Sequence, residues 1–126
     1  MIVAGFGFRA SATADSLRSA LDLATGGQDV TALAAPADKC AAHAFRAFCT
    51  SMDLPVLPVS PDALQAVETL TRSARVEAER GTGSVAEAAA MAAVIAAQGP
   101  GARLLGPRQI SSDRLASCAV ATGQTP

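Results

Sequence analysis

The sequence predicts an α/β fold, a three-layer α/β/α domain around a mainly parallel, mixed sheet of about five strands. Two observations carry this reading: short apolar runs alternate with segments of helical period, and most junctions between them carry a capping residue or a glycine. A third is the stretch opening at Ser84, where a capping signature precedes an alanine-rich helix. With 126 residues, 50% of them hydrophobic, the chain has the size of one core, assigned to residues 1–122, with 123–126 as a disordered tail. Aromatic residues make up 3% and Trp and Tyr are absent, so that core must be built from Ala, Val, Leu and four Phe.

Ile2-Val3-Ala4 reads as a buried strand ended by a tight turn at Gly5-Phe6-Gly7. Ser11 or Thr13 can cap the next element, where Leu17, Ala20, Leu21 and Ala24 fall on one helical face and Gly26-Gly27 stops the helix. Val30 to Ala34 is a second strand. Asp38 is placed to cap a second helix with Ala41, Ala44, Phe45 and Phe48 on its apolar face. Val56 to Val59 is a third strand, and Pro58 within it argues for an edge or a strand end. Ser60-Pro61 opens a short helix through Leu64.

From Val67 to Arg80 the chain turns polar, with Arg72, Arg75, Glu77, Glu79 and Arg80 spaced as in a solvated helix or a mobile loop. Ser84-Val85-Ala86-Glu87 is a capping box, and the helix behind it ends near Gly99-Pro100-Gly101. Arg103-Leu104-Leu105 and Leu115 to Ala121 are closing strands whose short connection permits an antiparallel edge.

A formal net charge of −1 and the scarcity of aromatic rings argue against nucleic-acid binding. The longest alanine-rich run, Val85 to Ala97, is too short for a membrane span, and nothing at Met1 to Gly5 resembles a signal peptide, so a cytoplasmic location follows. Cys40, Cys49 and Cys118 are odd in number and widely spaced, which suggests buried thiols and no metal site.

Gly5-Phe6-Gly7-Phe8-Arg9-Ala10 matches a dinucleotide fingerprint formally, yet no acidic residue ends the second strand, so a small nucleotide-binding module is only an alternative. Gly5, Gly7, Phe8 and Arg9 at the carboxyl end of a strand can meet an anion, or the glycines can serve the turn alone. Gly81, Gly83, Ser84 and Glu87 stand before or at a helix N-terminus, where backbone N–H groups can receive an acid or simply be capped. Lys39 should lie at the same sheet end as Arg9. His43, the single histidine, reads as a helix-flank residue, and no nucleophile, base and orienting acid are neighbours in sequence.

The order of these motifs is similar to the CobE/CbiG C-terminal domain family of cobalamin biosynthesis: Gly5-Phe6-Gly7-Phe8-Arg9, then Lys39, then Gly81-Thr82-Gly83-Ser84-Val85-Ala86-Glu87-Ala88-Ala89-Ala90. Arg103 to Arg108 followed by Ser117 to Ala121 resembles the family's final strand pair. The resemblance implies a stand-alone, CobE-like protein of the aerobic corrin-ring pathway that binds or hands on a polycarboxylate precorrin or hydrogenobyrinic-type intermediate. It leaves open a hydrolase acting on a precorrin-5A-type lactone, as in CbiG. It implies other cobalamin-biosynthesis enzymes as partners and no cofactor of the chain's own, with monomer and homodimer both open. Gly5, Gly7, Phe8, Arg9, Lys39, Gly81, Gly83, Ser84 and Glu87 are the expected ligand-binding residues.

Overall fold

A computed structural model of the chain describes residues 1–70, 72–80 and 82–123. In order, the elements are β1 (Ile2–Phe8), α1 (Ala14–Thr25), β2 (Ala32–Pro36), a 3₁₀ turn (Ala37–Lys39), α2 (His43–Met52), β3 (Val56–Val59), α3 (Pro61–Gln65), α4 (Ala74–Arg80), α5 (Val85–Gln98), β4 (Arg103–Leu104), β5 (Gln109–Ile110) and β6 (Ala116–Thr122). The sheet runs β3-β2-β1-β6-β4, and β5 also pairs with β6. β1, β2 and β3 are mutually parallel. β6 returns antiparallel to β1 along its whole length, from Ile2 opposite Thr122 to Phe8 opposite Ala116, and β4 and β5 pair antiparallel to β6.

Side-chain alternation along the strands sorts the core into two layers. Val3, Ala32 and Ala34 face α3 and α5, where they meet Leu64, Ala89 and Val94. Ala4, Phe6, Leu33 and Ala35 face the opposite way, onto Leu17 of α1 and Phe45 and Phe48 of α2. Phe6 meets Phe48 and Phe45 edge-on, at centroid separations of 5.3 and 5.9 Å. Helices therefore cover both faces of a mixed sheet, giving three layers.

Gly5 and Gly7 are not a turn: β1 runs through them to Phe8. The glycines are there because α5 lies almost on the strand. A Cβ on Gly5 would overlap the Ala86 carbonyl oxygen and the Ala90 backbone, and one on Gly7 would sit 3.2 Å from Val85 Cβ and from Ser117 Oγ. A glycine that admits a neighbouring backbone and one that permits a turn look alike in sequence.

Thr13 caps α1: its Oγ1 accepts from Ser16 N–H at 3.2 Å while Ser16 Oγ accepts from Thr13 N–H at 3.1 Å. Gly26, in the left-handed region, ends the helix. Asp38 does not cap α2. It lies in the 3₁₀ turn, whose Lys39 carbonyl accepts from Ala42 N–H, and α2 begins at His43 with no side-chain cap. The polar stretch after Val67 contains a helix, α4, and Ser73 N–H donates to the Gly83 carbonyl to close the loop around it.

Ser84 caps α5 through Glu87 N–H, but the reciprocal half of the capping box is not made. Gly123 follows β6 and is buried, with its N–H on the Met1 carbonyl, and Gln124 to Pro126, most of the expected tail, lie outside the described residues. Among the described residues no helix is long and apolar enough to cross a membrane.

Candidate functional site

Where β1 ends beside the start of β6, the chain encloses an open cleft of about 780 Å³. Its position follows from the topology. The parallel strands β1 and β2 deliver Phe8, Arg9 and Lys39 to one rim, and the antiparallel return of β6 brings the connection 106–115 to the same place. Arg9 N–H donates to the Leu115 carbonyl at 2.9 Å, and Ser117 Oγ donates to the Gly7 carbonyl at 3.3 Å, so the two walls are joined at the base.

Among the described residues, four cationic ones line this cleft: Arg9, Lys39, Arg108 and Arg114. The chain as a whole carries a formal charge of −1, so four of its ten Lys and Arg residues around one cleft make a local excess of positive charge that the net charge does not show. Lys39 Nζ stands 5.0 Å from the centre of the Phe8 ring, and Phe8 stacks on Phe45 at 5.5 Å. A cation over an aromatic face is held in place without losing its charge to a carboxylate.

Among the described lining residues, the only acid is Asp113, and its oxygens are already engaged. Oδ1 accepts from Ser111 Oγ at 2.6 Å and from Leu115 N–H at 3.0 Å, and Oδ2 accepts from Ser16 Oγ at 2.5 Å. The Ser111 and Ser16 hydroxyls and the Leu115 amide hold the carboxyl group below the usual aspartate range. Asp113 thus ties the connection 111–115 to α1. The next residue, Arg114, is held at φ 63°, in the left-handed region.

Of the residues expected from the sequence, Gly7, Phe8, Arg9 and Lys39 line the cleft together. Gly5 lies further back on β1, beneath α5. Gly83 lines a second, smaller depression of about 300 Å³ with Arg72 and Thr82. Ser84 and Glu87 are fully buried and do not reach the cleft, although Val85 between them does. Gly81 lies outside the described residues.

Arg108, Arg114, Asp113 and Ser117 are cleft residues that the sequence reading did not single out. The available signal was the polar connection Gly106-Pro107-Arg108 and Ser111-Ser112-Asp113, which has charge and turn residues where a bare strand link needs neither. His43 is exposed at the start of α2. The three thiols are free, and no group of three His, Cys, Asp or Glu among the described residues could hold a metal ion.

This fold and site define a small α/β domain with a cationic cleft at the end of its sheet. The chain belongs to the cobalamin synthesis G C-terminus family, whose model matches residues 2–121. It is similar to CobE, a protein from the cobalamin (vitamin B12) biosynthetic pathway, whose crystal structure superposes with a TM-score of 0.89 at 34% identity, covering 100% of this chain and 92% of that one. The cobalamin biosynthesis protein chiG from Agrobacterium tumefaciens str. C58 matches with a TM-score of 0.72 at 29% identity, over 99% of this chain and 100% of that one. No curated protein sequence matches. The chain is thus a cobalamin biosynthesis protein of the CobE/CbiG type.

Proposed function

We propose that the chain binds a polycarboxylate corrin-ring intermediate in the cleft, and holds it or hands it to another enzyme of the pathway. The observation that carries this is the set of four cationic residues, Arg9, Lys39, Arg108 and Arg114, around one open cavity whose one acid among the described lining residues, Asp113, is already hydrogen-bonded. Guanidinium and ammonium groups bind carboxylates by charge-assisted hydrogen bonds, and the cavity has the volume of a small-molecule site. On this reading the protein acts in the cytoplasm, beside the enzymes that make and consume the ring.

Hydrolysis of a precorrin lactone has less support. The described lining contains neither His nor Cys, and Asp113 already accepts three hydrogen bonds, which leaves it a poor general base. A nucleotide-binding role loses its motif, because Gly5-Phe6-Gly7 is strand and not a phosphate-binding loop.

Titration of the protein with hydrogenobyrinic acid, followed by the ring's visible absorbance, tests the proposal. Binding at micromolar ligand is expected. An R9A/K39A double variant should bind at least about tenfold more weakly, since each lost charged hydrogen bond is worth roughly 1.5–3 kcal/mol. Absence of binding by the wild type, or equal binding by the variant, would overturn it.

A further inference from the structure

We infer that Glu87 is a positioning residue for the cleft: from inside the first turn of α5, its carboxyl group fixes the backbone of Arg108 and so sets where that guanidinium enters. Glu87 is 0% exposed, and burying a carboxyl group is unfavourable unless hydrogen bonds replace water. It occupies the position from which a capping glutamate would reach back to Ser84, yet Oε2 instead accepts from Arg108 N–H at 2.8 Å, 21 residues away.

The bond matters because it holds the stretch between two sheet contacts; directly after Arg108, Gln109 pairs with Cys118. Arg108 lies between β4 and β5, which are two residues each, and the preceding anchor is Leu105 N–H on the Val120 carbonyl. Arg108 itself lines the cleft. The side chain of Glu87 does not, so it acts on the ligand only through the arginine.

This inference rests on the cleft being the binding site, and two variants with two readouts keep the two ideas separable. Glu87→Met fills the space without a strong acceptor, and Glu87→Gln keeps an acceptor oxygen at the same reach. In titrations with hydrogenobyrinic acid, E87M should bind about tenfold more weakly than wild type, like R108A, and E87Q should bind several-fold more tightly than E87M. The E87M/R108A double variant should bind no more weakly than R108A alone, because both changes remove one contact.

The second readout needs no ligand. Hydrogen exchange at the Arg108 amide should be slow in the wild type and in E87Q, and at least about tenfold faster in E87M. If the wild type fails to bind the ring, the proposed function falls while the exchange measurement still decides on Glu87. Additive losses in the double variant, E87Q binding as weakly as E87M, or an Arg108 amide that exchanges rapidly in the wild type or equally fast in E87M would overturn the inference. Should E87M fail to fold, the wild-type and E87Q exchange rates decide it.

Discussion

The Ser16 hydroxyl, in the first turn of α1, donates to Asp113 Oδ2 at 2.5 Å across 97 residues of sequence. That bond ties the helix after β1 to the connection before β6, whose residues Asp113, Arg114 and Leu115 line the cleft. Asp113 is the residue that converts a sheet end into a shaped wall.

Removing this donor should return the Asp113 carboxyl group toward its ordinary pKa. Its folded value is lowered, chiefly by Ser111 and then by Ser16 and Leu115, so its contribution to stability is present above the unfolded value of 3.8 and is lost as pH falls through the lower folded one. In S16A the carboxyl titration followed by NMR should move upward and the acid-induced loss of stability should shrink. An unchanged Asp113 titration would show that the hydroxyl does not hold the carboxylate.

The two glycines of β1 should differ in what a methyl group does. At Gly5 it meets the backbone of α5, which cannot step aside, so G5A should cost about 3 kcal/mol of stability. At Gly7 its neighbours are side-chain atoms at 3.2 Å, so G7A should stay within about 1 kcal/mol of the wild type. Urea denaturation of both variants checks this, and equal effects would contradict the close approach of α5 to β1.

These glycines also mark how far the sequence could be read. The α/β alternation, the caps at Thr13, Ser60 and Ser84, and the shared position of Arg9 and Lys39 follow from local signals, because capping and periodicity act within a few residues. Reading Gly5-Phe6-Gly7 as strand needs α5, some 80 residues on. Arg108 and Arg114 were hidden for a similar reason: they reach the cleft only because β6 pairs antiparallel with β1, a long-range choice that no local pattern announces. Asp38 failed as a cap because tertiary turn geometry overrode its local preference.

Burial should make Cys49 and Cys118 slow to react, and half-buried Cys40 less so. Burial, and then the neighbouring Cys40, pushes Cys49 up to about 11; burial alone raises Cys118, and burial with Asp38 raises Cys40. In the native protein at neutral pH, Cys49 and Cys118 should react with a thiol reagent far more slowly than free cysteine, and all three thiols should react once the chain is unfolded. Because Cys49 moves from 9.0 to about 11, the unfolded chain sheds that proton first as pH rises, and stability should fall between those values. A C49A variant should show a shallower alkaline loss; an identical pH profile would contradict the assignment.

Arg114 should trade stability for binding. A non-glycine residue at φ 63° carries strain of about 1–3 kcal/mol, so R114G should be at least as stable as the wild type. The same change removes a cleft cation and should weaken hydrogenobyrinic acid binding about tenfold. A variant that is destabilised, or that binds normally, would mean that Arg114 serves the loop and not the ligand.

Charge recognition is most directly tested by comparing two ligands on the wild-type protein: hydrogenobyrinic acid and the same ring with its carboxylates converted to neutral amides. Four cationic residues lining one cavity predict at least about tenfold tighter binding of the acid, with a gap that narrows as salt is added. Equal affinity for the two rings, or a preference that salt leaves untouched, would contradict a cleft built to hold carboxylates.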